Sequence, residues 1–312
     1  MKKVSILIPC YNEEKTLPLL YPELKKLADS DNNYNWEFLF VNDGSKDSTL
    51  SIIKALRTVD NHISYVNLSR NFGKERAMLA GFDYATGDCL VIIDADLQDP
   101  PNLIPQMLKY WEEGYKDVYA KRRDRGAESW IRRLLSLLFY KILAQTTRFD
   151  ILQNVGDFRL LDKQCIETLK KIRETERYTK GLFCWIGFEK KEIIFDRCDR
   201  AAGTSNWNFW SLVNLAIEGI TSFTIAPLRF ATVFGILTAI IAFFLILFYI
   251  GKTMIYGDPV QGFTTLVSIS LFMGGMNLLA VGILGEYVGR IFNETKNRPT
   301  YIASEYNDVK IE

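Results

Sequence analysis

Histidine is almost absent from this chain of 312 residues, and cysteine is scarce. The one histidine, His62, stands before an apolar run, where a surface-loop position is the expected interpretation. A histidine-rich zinc site is therefore excluded, and a Ser-His-Asp triad would need His62 as its base. The five cysteines are irregularly spaced and form no C-x-x-C motif, which argues against a disulfide framework and a thiolate metal site. Catalysis by this chain would then depend on carboxylates, Lys, Arg and a hard metal ion.

A large net charge is also missing. The chain has 38 basic and 37 acidic residues and a net charge of +1, whereas proteins that coat nucleic acid are strongly basic. Composition therefore predicts no nucleic-acid partner. The charge is nonetheless uneven, because the segment 116–148 holds nine basic and three acidic residues. Basic and apolar residues mix over about 128–145 as in interfacial helices, and the Trp-containing stretch 206–225 is similar. Two amphipathic helices packed on a sheet are the alternative.

Two long stretches contain no charged residue. They are Phe230–Ile250, with 21 residues, and Gln261–Gly285, with 25 residues. Each exceeds the roughly 20 residues with which a helix crosses a bilayer. We therefore predict transmembrane helices at about 230–250 and 262–286, joined by a Gly-Asp-Pro turn into a hairpin. A pair of buried core helices is the alternative.

The charges beside these stretches predict their orientation. Arg229 precedes the first stretch and three basic residues follow the second, whereas Lys252 in the loop is balanced by Asp258. Because positive charge is retained in the cytoplasm, both termini are expected there, in a multi-pass protein of the plasma membrane. The first apolar run is too short for a signal peptide. The predicted organisation is a cytoplasmic catalytic domain over 1–226, a membrane domain over 227–290 and a cytoplasmic tail over 291–312.

The first part of the chain alternates between short apolar runs and longer amphipathic segments. The predicted strands are Val4–Pro9, Glu37–Asn42, Ile63–Ser69 and Cys89–Asp94, and the predicted helices are Glu13–Ala28, Asp47–Val59 and Lys74–Ala85. This alternation predicts an α/β fold with a parallel sheet covered on both faces. Ligands bind such sheets beyond the carboxyl ends of the strands, so the informative residues are expected there.

The fourth predicted strand ends in two carboxylates, Asp94 and Asp96. Two anions this close repel each other unless a cation or hydrogen-bond donors compensate. A divalent cation with oxygen ligands would do so, and Gln98 can add a neutral oxygen. An acidic loop that caps the following helix is the alternative. The pattern predicts a Mg²⁺ or Mn²⁺ site of Asp94, Asp96 and Gln98, with positions left for phosphate oxygens.

Three segments together resemble the family-2 inverting glycosyltransferases. They are Val4–Glu14, Val41–Thr49 and Asp94–Pro101, and the C-terminal apolar stretches make the whole chain similar to the polyprenyl-phosphate (bactoprenol) glycosyltransferases, relatives of dolichyl-phosphate mannose synthase. The resemblance implies a GT-A type nucleotide-diphospho-sugar-binding domain with a Rossmann-like, parallel-rich sheet. It also implies transfer of one sugar, from UDP-glucose or UDP-N-acetylglucosamine, to undecaprenyl phosphate at the cytoplasmic membrane face, for cell-envelope glycans.

The same resemblance implies roles for individual residues. Donor and acceptor binding are assigned to Pro9, Tyr11, Glu13, Asp43, Lys74, Asp94, Arg122, Arg159, Arg200 and Ser205. Asp96 and Asp157 are the catalytic residues, and Asp157 either accepts a proton or orients the acceptor. Asn206 and Trp207 stand where the family usually has Lys and an aromatic residue.

Two other functions are consistent with parts of this pattern. A processive polysaccharide synthase of the same fold carries a Q-x-x-R-W motif, to which Gln145–Phe149 comes close. A non-catalytic membrane adaptor would not need the three carboxylates. Gly274, Gly275, Gly282 and Gly285 offer small faces through which helices of a homo-oligomer could associate.

Overall fold

The computed structural model describes residues 1–123, 152, 155–175, 177–196, 226–256 and 262–311. The strands are β1 (Lys2–Cys10), β2 (Tyr34–Asn42), β3 (Ile63–Leu68), β4 (Cys89–Ile92), β5 (Asp117–Arg122), β6 (Val155–Asp162), β7 (Lys190–Phe195), β8 (Ala303–Tyr306) and β9 (Val309–Lys310). The helices are α1 (Leu17–Ser30), α2 (Thr49–Val59), α3 (Lys74–Tyr84), α4 (Ile104–Glu112), α5 (Lys163–Lys171), α6 (Thr179–Trp185), α7 (Ala226–Tyr256) and α8 (Phe263–Thr295).

The described strands form one mixed sheet in the order β7-β5-β6-β4-β1-β2-β3-β8-β9. Strands β1 to β4 run parallel, as the alternation of strands and helices predicts. Strand β6 lies antiparallel between β4 and β5, and β8 is antiparallel to β3. The expected parallel sheet is therefore correct for the first half of the domain, whereas the second half makes the sheet mixed.

Side chains from both faces of the sheet are buried, because helices cover each face. Along β1, Val4, Ile6 and Ile8 pack with α1 and α4, whereas Leu7 points to the layer of α3, α5 and α6. Helix α3 lies so close to β1 that a Cβ on Gly81 would come within 2.1 Å of Leu7. This close packing fixes α3, and with it the residues at its first turn, against the centre of the sheet.

The segment after α8 returns to the sheet. Strand β8 pairs with β3, and the Ser69 backbone N–H donates to the Ile302 carbonyl at 2.9 Å. Tyr65 Oη lies 2.7 Å from Glu305 Oε1, and Lys54 Nζ is 2.7 Å from the same carboxylate oxygen. The sequence predicts only a cytoplasmic tail after residue 290. The structure continues α8 to Thr295 and adds two strands of this tail to the sheet, while its cytoplasmic location stays a prediction.

Helices α7 and α8 contact each other and expose most of their apolar side chains. Among the described residues, Phe272–Thr295 is long and apolar enough to cross a membrane, and none of its most apolar window is buried. The apolar part of α7, Phe230–Leu245, is shorter. The two-span hairpin predicted from the sequence thus stays a prediction, while one candidate span is found.

Candidate active site

The turns after β1 and β2 hold each other through hydrogen bonds between side chains and backbone. The Asn12 N–H donates to Ser45 Oγ at 2.9 Å, and the Lys46 N–H donates to Asn12 Oδ1 at 2.9 Å. The Glu13 N–H donates to Thr49 Oγ1 at 2.8 Å. Because these polar residues satisfy the backbone of two neighbouring strand ends, this edge of the sheet is organised without a ligand.

Asp43 binds the loop before α3 to this edge of the sheet. Its buried carboxylate accepts hydrogen bonds from the backbone N–H groups of Phe72, at 2.7 Å, and Gly73, at 2.9 Å. Burial raises the pKa of Asp43, although these two donors act in the opposite direction. The neighbouring Gly44 has a φ of 64°, and a Cβ there would lie 2.3 Å from the Arg70 backbone. Asp43 and Gly44 therefore hold the loop that leads into α3.

These strand ends and α3 enclose a cavity of about 250 Å³. Its lining includes the sequence-predicted residues Pro9, Tyr11, Glu13, Asp43, Lys74, Asp94 and Asp96, together with Cys10, Asn71, Gly73, Ala77 and Ala95. Tyr11 is 43% exposed, so its side chain is accessible to a ligand. Burial raises the pKa of Glu13 and that of the Cys10 thiol, which keeps the thiol unreactive.

Lys74, the first residue of α3, joins two of the predicted carboxylates. Its ammonium lies 2.6 Å from Asp94 Oδ1 and 2.6 Å from Asp157 Oδ2. Asp94 follows β4 and Asp157 lies on β6, so the antiparallel insertion of β6 beside β4 is what brings the two carboxylates to one lysine. The Asp157 side chain is 10% exposed, whereas that of Lys74 is 41% exposed. The lysine is thus the accessible partner.

The charges of this group control the protonation of Asp157. Burial alone would raise the pKa of Asp157, but the ammoniums of Lys74 and Lys180 hold it well below its usual range. The two carboxylates in turn raise the pKa of Lys74 against the effect of desolvation. Asp157 is therefore a carboxylate and Lys74 an ammonium throughout the physiological pH range. Glu75 differs, because burial first and the charge of Asp157 next raise its pKa.

Asp94 and Asp96 offer the oxygen ligands that a divalent cation needs. The Gln98 backbone N–H donates to Asp96 Oδ1 at 3.1 Å, which orients that carboxylate, and Leu97 between them has a φ of 59°. Among the described residues, no three His, Cys, Asp or Glu side chains are grouped closely enough to hold an ion by themselves. Two carboxylates with the remaining positions filled by phosphate oxygens is how proteins commonly hold Mg²⁺. The donor set fits Mg²⁺ or Mn²⁺ together with a bound diphosphate.

Behind these carboxylates lies Asp99, which the sequence analysis did not assign to the site. Asp99 is buried, and within the part of the chain that the structure describes its Oδ1 atom has no hydrogen-bond partner. Burial, followed by the charge of Asp94, raises its pKa to about 7. The charge of Arg122 acts in the opposite direction. The third acidic residue of the loop 94–99 is a signal for Asp99 in the sequence, but the sequence alone does not reveal that Asp99 is buried.

Arg122 and Arg159 occupy different places. Arg122, at the end of β5, directs its Nη2 atom to within 3.2 Å of the position that a Cβ on Gly156 would take, next to Asp157. Arg159 is 1% exposed, lies 3.1 Å from Asp117 Oδ2 and stacks 3.8 Å from the Phe183 ring. It does not line the cavity, because β5 supplies a buried partner, and its predicted contact with substrate stays a prediction. Arg200, Ser205 and the predicted interfacial helices at 128–145 and 206–225 lie outside the described residues.

A second, larger cavity of about 570 Å³ opens at the opposite edge of the sheet, near Lys2. Two of its lysines have acidic partners, Lys2 at 3.7 Å from Glu112 and Lys116 at 3.4 Å from Asp162. It lies at the amino ends of the parallel strands, away from the carboxylates described above. His62 is likewise remote, since it pairs with Asp60 at 2.7 Å on the surface.

Comparison with known proteins assigns this chain to a family. The model of glycosyl transferase family 2 matches residues 5–170. An SfII prophage-derived bactoprenol glucosyl transferase of Shigella flexneri is 42% identical over 300 residues, which cover 96% of this chain and 97% of the relative. An uncharacterized glycosyltransferase of Synechocystis sp. is 42% identical over 303 residues, covering 97% and 95% of the two chains.

Among solved structures, mannosyl-3-phosphoglycerate synthase from Rubrobacter xylanophilus is similar with a TM-score of 0.48 and 18% identity, over 70% of this chain and 71% of that chain. The match to the family model extends over more than half of the chain and ends within α5. With the mixed, parallel-rich sheet and the carboxylates at its edge, the chain is an enzyme of GT-A-like fold that belongs to glycosyltransferase family 2.

Proposed function

We propose that this enzyme transfers one sugar, with inversion, from a nucleotide sugar to a polyprenyl phosphate at the cytoplasmic face of the membrane. The observation that carries the proposal is the combination, in one chain, of the acidic cavity with helices whose apolar side chains are exposed. Leu278, for example, is 75% exposed, which is unfavourable in water. The name of the Shigella flexneri relative, a bactoprenol glucosyl transferase, supports the same class of acceptor.

The donor is assigned to the 250 Å³ cavity. Tyr11 and Asp43 would contact the nucleoside, and the carboxylates near Lys74 would lie beside the diphosphate. A cation held there by Asp94, Asp96 and Gln98 would neutralise charge on the leaving nucleoside diphosphate. Lys74 contributes a second positive charge at the same place, where negative charge develops as the glycosidic bond breaks. UDP-glucose and UDP-N-acetylglucosamine are the proposed donors.

The acceptor needs little help from a general base. A phosphate monoester has its second pKa near 6, so it is mostly a dianion at pH 7. One of its oxygens attacks C1 of the sugar from the face opposite the leaving group, the bond from C1 to the diphosphate oxygen breaks, and no proton remains to be removed. Because the pKa of Asp157 is held low by Lys74 and Lys180, we assign Asp157 the orienting role, with Arg122 beside it as a phosphate contact.

The position of β8 supports the proposed topology. The segment that forms β8 follows the apolar helices and pairs with β3 of the catalytic sheet. A chain that crosses the bilayer between residue 226 and residue 295 must therefore return to the side from which it started. This agrees with two spans and two cytoplasmic termini in the plasma membrane. The basic segment 116–148 and the stretch 206–225 are proposed to contact lipid headgroups.

The test is transfer of radiolabel from a panel of nucleotide sugars, using enzyme in vesicles that contain undecaprenyl phosphate. The expected product carries one labelled sugar and is extracted into organic solvent. A long water-soluble polymer would indicate a processive synthase instead, and absence of transfer with every donor would indicate an adaptor. Reporters inserted at Gly257 and after Glu312 should lie on opposite sides of the membrane. Reporters on one side would refute the hairpin.

A further inference from the structure

The end of α8 and the segment after it contact the catalytic domain at a cluster of polar residues, which we call the anchor junction. It consists of Asp83, Arg173, Thr175, Glu294 and Tyr301. The Thr175 N–H donates to Glu294 Oε1 at 2.7 Å, and the Thr175 hydroxyl lies 3.3 Å from Oε2. Asp83 accepts two hydrogen bonds from Arg173, at 2.6 and 2.8 Å, and one from the Tyr301 hydroxyl at 2.6 Å. The last turn of α8 and the segment after it are thus both hydrogen-bonded to the catalytic domain.

The anchor junction is connected to the active site by one helix. Helix α3 begins with Lys74, which contacts Asp94 and Asp157, and carries Asp83 near its other end. The segment that follows Arg173 also contacts α3 in two further places. Arg76 Nη2 donates to the Thr175 carbonyl at 2.9 Å, and the Thr179 N–H donates to Glu75 at 3.1 Å. Because α3 is tightly packed on β1, the junction and the active site keep a fixed separation, and a change in the position of the junction relative to the bilayer moves the active site with the whole domain.

Distances along α8 and α3 indicate how far the catalytic domain lies from the hydrocarbon core of the bilayer. The charge-free stretch ends at Gly285, and at about 1.5 Å per residue Glu294 lies about 14 Å farther along α8. The headgroup layer is about 5–8 Å thick on each side of the hydrocarbon core. With the second span at about 262–286, as the sequence predicts, the junction lies just beyond the headgroups. Lys74 is separated from Asp83 by about 14 Å along α3.

We propose that the anchor junction holds the active site at the height and orientation at which it meets a phosphate whose lipid chain stays in the bilayer. This inference rests on the proposed function, since it requires a membrane-embedded acceptor. Its five members are positioning residues and do not touch the substrate. A phosphate that diffuses freely in water can reach the cavity at any height, so only the embedded acceptor depends on the junction. Misplacement of a reacting group by about 1 Å can already lower a rate about a hundredfold.

The experiment compares two acceptors with the full-length enzyme in vesicles. One acceptor is undecaprenyl phosphate in the same bilayer, and the other is geranyl phosphate, a short-chain prenyl phosphate added from the water. The double variant Asp83→Asn/Glu294→Ala should lower kcat/KM for the embedded acceptor at least about tenfold. Use of geranyl phosphate and the KM for the nucleotide sugar should change less than about twofold. Glu294→Gln keeps an oxygen that accepts from Thr175 and should retain most of the activity.

The matched control is Glu167→Gln, which removes an exposed ion pair with Lys170 on α5, outside the junction. It should change neither activity. Equal losses with both acceptors, or full activity of the double variant on the embedded acceptor, would overturn the inference. Wild-type enzyme that uses neither prenyl phosphate would instead refute the proposed function and the inference with it. A junction that serves stability alone would lower the melting temperature and both activities together.

Discussion

The two halves of the candidate active site are built by different interactions. In the half formed by the turns after β1 and β2, side chains such as Asn12 and Asp43 bind backbone groups of neighbouring segments. In the half around Lys74, charged side chains bind one another. Backbone partners stay in place when a ligand arrives, whereas ion pairs between side chains can be exchanged. The first half is therefore preformed, and the second is a set of charges that the proposed diphosphate and its cation would rearrange.

The largest effect is expected at the carboxylates that would share a cation with the donor. Asp96→Asn should lower transfer at least about a hundredfold, because an amide does not neutralise the ion or fix the diphosphate. Excess chelator should have the same effect, reversed by Mg²⁺ or Mn²⁺, in a radiolabel transfer assay. Asp29→Asn, at an exposed position on α1, is the control. Full activity in excess chelator would show that the half of the site around Lys74 works without a metal ion.

The next largest effects are expected at Lys74 and Asp157, and they distinguish the roles of these two residues. Lys74→Met removes the positive charge near the leaving diphosphate and should lower kcat about a hundredfold. Asp157→Asn should lower kcat only about tenfold, with the acid limb of the pH–rate profile unchanged, if Asp157 orients the acceptor. A general base would give a loss of about 10²–10⁴ and remove that limb. The pH–rate profiles of both variants, measured with saturating donor, decide between the two roles.

A smaller and more selective effect is expected from the basic segment. Charge reversal of Arg132 and Arg133 to Glu should weaken the use of the lipid acceptor several-fold, because the segment would no longer attract anionic headgroups. Slow hydrolysis of the donor in the absence of acceptor should be retained, since it needs the cavity alone. High salt should reduce the difference between variant and wild type. Equal losses in transfer and hydrolysis would point to a folding defect.

The smallest effect concerns stability at Asp99. Because the pKa of this buried carboxyl is raised to about 7 in the folded protein, the folded state binds a proton that the unfolded state has lost above about pH 4. Its contribution to stability is therefore present at low pH and is lost as the pH rises through 7. The melting temperature of Asp99→Asn should exceed that of wild type at pH 8 and approach it at pH 5. Asp29→Asn should not reproduce this trend.

The parts of the structure that the sequence predicts are those with local signals. Alternating apolar runs predict β1 to β4, and α3 is predicted as Lys74–Ala85 and observed as Lys74–Tyr84. Helix α1 starts at Leu17, four residues later than predicted, because the Thr16 and Leu17 N–H groups donate to the Glu13 carbonyl and form a turn first. The carboxyl ends of β1, β2 and β4 bring together six predicted site residues, and the start of α3 adds Lys74.

The rest depends on contacts between distant parts of the chain. The resemblance assigns roles to Asp157 and Arg159, but only the pairing of β6 with β4 and β5 reveals that Asp157 meets Lys74 while Arg159 is buried against Asp117. Strand β8 has four residues with a weak pattern, and its partners on β3 are about 240 residues earlier in the chain.

That separation has a consequence for how the enzyme is made. Tyr65 and Glu305 are 240 residues apart, and everything between them, including both apolar helices, must leave the ribosome before β8 can pair with β3. Until then the edge of β3 stays open, next to the loop that Asp43 holds. Pairing of β8 with β3 therefore follows synthesis of both apolar helices. On the proposed topology, the catalytic sheet would be completed only after the apolar helices have reached the membrane.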